Sequence, residues 1–350
     1  MRAPVLHGQR SMRYEDVPEP VIAANEVIVE VSLCGICGSD LHLYDSTMAP
    51  DGIVMGHEYG GTIVQLGRDV KGWEAGDRVV GAPMAPCANC VFCKRGEPEL
   101  CYQHYRLDMA RAGTVRAAGD SLGAGGYGPL AKIAAGRLMR VPDDLDDQQA
   151  ASVEPAAVGL HAVRGSGMRV GDRVAVLGAG PIGLYTLQCA IAAGARRVVV
   201  LEPSPVRAEL ARQLGADVSL DPRALDDLAA GVAENLGGAP DVVFDAAGVP
   251  ATLQQAVDVV KPGGAVMMVG AAFDPAPVRP STWVTKRVTV RAAFAYSRAD
   301  YEATIALMQR GTIRTASLIS SVVPASEAHL VFERLLGPNS EIKVLVDPRR

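Results

Sequence analysis

The chain has 350 residues, 49% of them apolar, with a formal net charge of −5, 37 glycines and 23 prolines. That length and composition lead to an expectation of two loop-rich globular domains, and scattered basic residues in a net acidic chain exclude an electrostatic footprint for nucleic acid or an anionic membrane. The opening MRAPVLHGQR lacks the apolar stretch of a secretory signal, and the longest apolar runs stop well short of the ~18 residues of a membrane span; a soluble, cytoplasmic protein with a small-molecule partner is expected.

Residues 1–155 read as short β-rich runs, among them EVIVEVSL, GTIVQLG and DRVVGAP, broken by Gly, Pro and Asp. The pattern predicts a partly antiparallel, barrel-like domain. Three segments here carry side chains that can do chemistry. CGICGSDLH offers Cys37, Ser39, Asp40 and His42, and GHEYGG places His57 and Glu58 between glycines. VEP puts Glu154 where the sequence turns toward a different pattern. Singly, each is also what a core thiol, a surface histidine or a plain turn would supply. Together they offer the sulfur, nitrogen and oxygen donors from which open zinc sites are built.

Between them lies PCANCVFCKRGEPELC, with Cys87, Cys90, Cys93 and Cys101. Two disulfides would be out of place in a reducing compartment, whereas closely spaced C-x-x-C pairs suit one tetrahedral thiolate site. Four cysteines fill the coordination sphere and leave no position for substrate, so the expectation is a structural zinc. An iron–sulfur cluster is the rival, since ferredoxin runs have similar spacing, but no second cysteine set accompanies this one.

From about residue 170, strand and helix alternate: RVAVL, IGLYTLQCAIAAGA, RRVVVLEP, PVRAELARQLGA, and so on to GGAVMMVGA. Five apolar strands with helical connections predict a doubly wound parallel sheet, placing the chain in the α/β class. GAGPIG spans Gly178, Gly180, Pro181, Ile182 and Gly183 between the first strand and its helix. Such a turn lets backbone N–H groups and a helix N-terminus face a pyrophosphate. Glu202 ends the next strand, where a carboxylate accepts from ribose hydroxyls and repels a 2′-phosphate; NAD is therefore expected over NADP. Arg207 could reverse that by turning toward the phosphate, or could simply lie on the helix surface. After about residue 290 follow VTVRAAFAY as a strand, two helices, and a last strand IKVLVD.

The ordered set CGICGSDLH, GHEYGG, the four-cysteine lobe, VEPAAVGLHA and GAGPIG resembles the zinc-dependent medium-chain alcohol dehydrogenases, within them the polyol, threonine and butanediol branch. The resemblance covers essentially the whole chain. It implies a GroES-like catalytic domain from residues 1–155 and 293–350, with its structural zinc lobe at 86–102, around a Rossmann domain at 156–292. The active site would lie in the cleft between them. By resemblance Cys37, His57 and Glu58 are catalytic zinc ligands, and Glu154 is a further ligand or the anchor of a zinc-bound water. Ser39 then passes the substrate proton to His42, Asp40 orients the zinc histidine, and the backbone of Val269 and Gly270 holds the nicotinamide carboxamide. Two zinc ions per chain follow, one catalytic and one structural. Zinc would polarise the alcohol oxygen while hydride passes to NAD. Homodimers or homotetramers built through the Rossmann sheet are implied as well. Cys34 and Cys189 match no family role and default to buried core thiols.

Two departures bear on the substrate. Sorbitol-type relatives carry an arginine between Phe and Tyr that holds polyol hydroxyls, whereas here Ala295 stands between Phe294 and Tyr296. Losing that fork of donors favours a small secondary alcohol or vicinal diol, oxidised to the ketone, over a sugar alcohol or a hydroxy amino acid. The second is the loop 102–128, which carries Arg106, Arg111 and Arg116. It is either a solvated loop or a source of one cation for an acidic substrate. A zinc-free quinone reductase and a non-catalytic nucleotide- and zinc-binding protein are the remaining alternatives, and both sit poorly with the intact donor set.

Overall fold

The structure, a computed structural model, describes residues 1–82, 86–97, 100–102 and 125–350. Arg106, Arg111 and Arg116 lie outside the described residues. The chain divides into two compact units: Met1–Glu154 with Ser297–Ile305 and Leu318–Arg350, and Pro155–Tyr296 with Ala306–Ser317.

In the first unit, strands β1 (Arg2–His7), β2 (Met12–Asp16), β3 (Glu26–Gly35), β4 (Asp51–Ile53), β5 (Glu58–Leu66), β6 (Arg78–Gly81), β7 (Leu130–Ala134) and β8 (Leu138–Arg140) follow in order. β1 pairs antiparallel with both β2 and β4 in a small sheet. β3 is the spine of a larger one, antiparallel to β5 and to β7. Its alternating Val27, Val29 and Val31 are fully buried, as a half-covered strand of period two requires.

The second unit holds a sheet of β9 (Arg173–Leu177), β10 (Arg197–Leu201), β11 (Val218–Leu220), β12 (Val242–Asp245), β13 (Ala265–Met268) and β14 (Thr289–Ala292). The strand order is β11-β10-β9-β12-β13-β14 with every pair parallel. The order reverses between β9 and β12, the topological switch point at which such sheets bind nucleotides. Val174, Val176, Val198 and Val243 are fully or almost fully buried, so these strands read as continuous apolar runs rather than as alternations.

The C-terminal tail returns to the first unit. β15 (Ile319–Pro324) lies parallel to β16 (Lys343–Asp347), and β16 pairs antiparallel with the end of β3.

Two expectations differ in detail, and one alternative, a turn at Glu154–Pro155, falls away. VTVRAAFAY was expected to open the C-terminal segment; only Thr289–Ala292 is strand, and it is the sixth strand of the parallel sheet. Ala295, with φ of 57°, then turns the chain. Residues 306–317, expected with the first unit, cluster with the second. There Gln188 and Arg314 exchange two hydrogen bonds, side-chain amide to carbonyl and backbone N–H to side-chain oxygen, at 3.2 and 2.7 Å. Glu154–Pro155 is not a turn but lies inside the helix Asp147–Gly165. Proline in a helix costs ~3 kcal/mol. Fully buried Val153, Ala156, Ala157 and Ala162 supply the offsetting burial.

Candidate metal centre and nucleotide pocket

The pairing of β3 with β5 sets Gly35 opposite Glu58 and Cys34 opposite Tyr59. Cys37 lies just beyond the end of β3 and His57 just before the start of β5, so the register alone carries both toward one point. The donor atoms of Cys37, His57 and Glu58 all lie within 4.8 Å of one another. Gly35 makes this approach possible: a Cβ there would sit 2.1 Å from Oε2 of Glu58. A thiol, an imidazole and a carboxylate gathered within that distance are a donor set that fits a divalent zinc.

Around these donors is a layer of groups that orients them. Cys37 caps the helix Gly38–Asp45, and its N–H donates to Oδ2 of Asp40 at 3.0 Å. Oδ1 of Asp40 faces Nδ1 of His57 at 3.4 Å, leaving Nε2 as the ring's other nitrogen. Burial alone would raise the Asp40 carboxyl. The adjacent His57 ring and the Tyr127 and Cys37 donors outweigh burial and hold it below the usual carboxylate range.

Two members of this layer were not legible in the sequence. Tyr127, fully buried, donates its hydroxyl to Oδ2 of Asp40 at 2.6 Å. Lys343, on β16, donates from Nζ to Oε2 of Glu58 at 2.5 Å and to the Ile36 carbonyl at 2.9 Å. Both members of that ion pair are sealed from solvent, at 3% and 1% exposure. A lysine inside the apolar run IKVLVD was the available signal, since buried lysines occur almost only with a partner.

Glu154 does not join the cluster whose donors lie within 4.8 Å; it is half-buried on the helix Asp147–Gly165. Ser39 and His42 are exposed on the helix Gly38–Asp45, one turn apart and so on the same face. The buried Cys34 thiol is pushed well above its ordinary value by burial, then by nearby Asp40 and Glu58, which suits an inert core thiol. Cys189 is buried as well.

The sulfurs of Cys87, Cys90, Cys93 and Cys101 form a second group, again within 4.8 Å of one another. Backbone N–H groups of Cys87 and Cys90 point at the sulfurs of Cys101 and Cys87, at 3.2 and 3.3 Å. The backbone N–H of Cys93 leads the effects that pull the Cys90 thiol down, while burial and the neighbouring thiols push Cys93 up, so the first thiolate of the group falls on Cys90. N–H donors aimed at sulfur favour thiolate, the form that ligates metal. No residue of the short helix Val91–Arg95 is buried, and Phe92 lies edge-on to Tyr102 at 5.0 Å. Among the described residues of the lobe only Cys101 is buried, and a tetrahedral metal fits the role of organiser.

In the second unit a cavity of about 320 Å³ opens over the carboxyl ends of β9 and β10, lined by Gly178, Gly180, Glu202, Arg207, Ala247 and Thr252, among others. Gly178 has φ of 92°, and a Cβ on Gly183 would meet the Gly178 carbonyl at 2.0 Å; the turn closes only with glycine at both. Gly180 faces open space, which leaves its backbone accessible to a phosphate. Pro181 and Ile182 begin the helix Pro181–Ala192, whose N-terminus faces the same turn. Buried Glu202 accepts from the N–H of Ala179 at 2.7 Å and of Ser204 at 2.8 Å, one on each oxygen. Val269 and Gly270 follow β13, and both of their N–H groups donate to the Asp245 carbonyl at 2.8 Å.

Known families and proteins match the chain over nearly its whole length. Residues 23–143 match the family described as alcohol dehydrogenase GroES-like domain, and residues 181–310 match the zinc-binding dehydrogenase family. The chain is 34% identical to (R,R)-butanediol dehydrogenase of Bacillus subtilis (strain 168), covering 99% of this chain and 100% of that one. It is 30% identical to sorbitol dehydrogenase of the same organism, covering 100% and 98%. The crystal structure of 2R,3R-butanediol dehydrogenase from Bacillus subtilis superposes with a TM-score of 0.85 at 32% identity, over 99% of each chain. A zinc-binding dehydrogenase of Sinorhizobium meliloti 1021 bound to NADP superposes at 0.86 with 30% identity, again over 99% of each. No helix among the described residues is long and apolar enough to cross a membrane. With its two matched domains, its full-length relatives and its sulfur-rich donor sets, the chain belongs to the zinc-dependent medium-chain alcohol dehydrogenase family.

Proposed function

We propose that the protein oxidises a small secondary alcohol or vicinal diol to the ketone with NAD, at a catalytic zinc held by Cys37, His57 and Glu58. The observation that carries this reading is the convergence of those three donors within 4.8 Å. A zinc bound there supplies Lewis acidity that lowers the pKa of the alcohol. Asp40 holds the His57 ring by its Nδ1 edge, and Lys343 holds one Glu58 oxygen while the other stays available. Ser39 Oγ takes the substrate proton and His42 carries it to solvent, a path supported by their shared exposed helix face. Glu154 acts as an outer group rather than a permanent ligand. Cys87, Cys90, Cys93 and Cys101 hold the second, structural zinc.

Cofactor choice rests on Glu202. Its two oxygens are fixed by backbone donors, so the carboxylate cannot swing aside for a 2′-phosphate, and like charges brought together cost several kcal/mol. Val269 and Gly270 present the backbone that receives the nicotinamide carboxamide. The Ala295 position, half-buried and without a donor fork, favours a butanediol-like substrate over sorbitol. An oligomer built on the exposed edge strand β14 follows the same reading, and seven cysteines, none in a disulfide, suit a reducing, cytoplasmic compartment.

The test is NADH or NADPH formation by the purified protein with 2,3-butanediol stereoisomers, sorbitol, threonine and 2-alkanols. Turnover of butanediol or 2-alkanols with NAD is the expected outcome. Preference for sorbitol would show that another group replaces the missing arginine; preference for NADP would overturn the role given to Glu202.

A further inference from the structure

We propose that the Tyr127 hydroxyl is a positioning group for the metal: by holding Oδ2 of Asp40 it turns Oδ1 onto Nδ1 of His57 and so fixes the orientation of that ligand. The inference rests on the reading of Cys37, His57 and Glu58 as a metal site.

Three observations carry it. First, the hydroxyl has a defined partner. Tyr127 is fully buried and its OH lies 2.6 Å from Oδ2 of Asp40, with the Gly35 carbonyl farther off at 3.4 Å. A buried hydroxyl is costly to leave unpaired, and an ionised carboxylate is the stronger of these acceptors. Second, the two oxygens of Asp40 are divided. Oδ2 accepts from both Tyr127 and the Cys37 N–H, while Oδ1 is left to His57. Third, the tyrosine is tied to the chain that delivers the histidine. The N–H groups of Gly125, Gly126 and Tyr127 donate to the carbonyls of Val54, Gly56 and Met55, at 3.2, 2.9 and 3.0 Å. The segment leading to His57 and the group that steadies His57 therefore move together.

The ring itself is packing. It stands edge-on to Phe332 at 5.9 Å and lies where a Cβ on Gly56 would strike it at 2.8 Å. Phenylalanine would fill the same volume, so Tyr127→Phe removes the hydroxyl alone, and Oδ2 keeps the Cys37 donor. Groups that orient a ligating histidine are typically worth ~10–100-fold in metal affinity.

The experiment replaces the metal with cobalt(II) in wild type, Tyr127→Phe, Asp40→Asn and the double variant. It reads the cobalt absorption bands and the affinity by chelator competition, with thermal melts as a folding control. For Tyr127→Phe the expected result is about a tenfold weaker site and shifted bands, in a protein that still melts cooperatively and only a few degrees lower. In the Asp40→Asn background the same substitution should do little, because its effect runs through Asp40. Bands and affinity of Tyr127→Phe within twofold of wild type would overturn the positioning role while leaving the metal site standing. Wild type that takes up cobalt only at the four-cysteine group would overturn both.

Discussion

The first unit holds two candidate metal sites built on opposite plans. The Cys37, His57 and Glu58 donors sit at the ends of two paired strands, beside a core that includes Tyr44, Tyr59, Tyr127 and Phe332. Two of them have a partner that orients them, Asp40 for His57 and Lys343 for Glu58, and Gly35 leaves the space that Glu58 needs. The four-cysteine lobe has a helix of five residues with nothing buried, and its sulfurs are organised by one another and by backbone N–H groups. On the reading proposed above, the first site is held by the fold and should persist in outline without metal, whereas the second should depend on its metal. An open, preorganised site suits catalysis, and a closed one suits structure.

The comparison breaks first at Lys343. Removing one member of a fully buried ion pair costs ~3–5 kcal/mol. Lys343→Met should therefore lower the urea midpoint of the first unit sharply while leaving the lobe's resistance to proteolysis unchanged. Midpoints within experimental error of wild type would mean that Glu58 does not depend on this partner. At the lobe the pattern inverts. Cys93→Ser should release one zinc and open residues 86–102 to protease, with little change in the unfolding of the remainder; a global loss of structure would contradict the division.

A variant in the other unit provides a control. Glu202→Ala should cut the preference of kcat/KM for NAD over NADP by about 100-fold, the equivalent of a few kcal/mol of relieved repulsion. Metal content should stay at the wild-type value. An unchanged cofactor ratio would remove the carboxylate from the specificity argument.

The smallest effect concerns His7, whose Nδ1 and Nε2 lie 2.7 Å from Asp51 and 2.9 Å from Glu15. Burial opposes the charged ring, but hydrogen bonds to Asp51 and Glu15 prevail and raise its pKa above 6.5. A raised folded-state pKa stabilises fully below the unfolded value and is lost as pH rises through the folded one. The partners are largely exposed, so the contribution is below ~1 kcal/mol. Thermal melts of His7→Gln should fall slightly under wild type near pH 6 and converge with it in the alkaline range. A gap that widens with pH would reverse the assignment.

What was legible in the sequence was local or ordered. The GAGPIG turn, the cysteine spacing and the alternating strands carry their geometry in neighbouring residues. Cys37, His57 and Glu58 could be named because their segments resemble a known family in order. Lys343 and Tyr127 could not, because each reaches the site from far along the chain: Lys343 lies 285 residues from Glu58 and Tyr127 lies 87 from Asp40. A turn stayed open as an alternative at Glu154–Pro155 because the proline's local cost is visible in sequence, whereas the burial that offsets it inside a helix is not. Strand β14 was assigned past its end because VTVRAAFAY stays apolar, while only its first part finds a parallel neighbour.

The most direct test of the central claim is the zinc content of His57→Ala beside that of wild type, measured together with NADH formation from 2,3-butanediol. Wild type should hold two zinc ions per chain and the variant one, with turnover lost and the four-cysteine zinc retained. Two zinc ions and undiminished turnover in His57→Ala would contradict that claim.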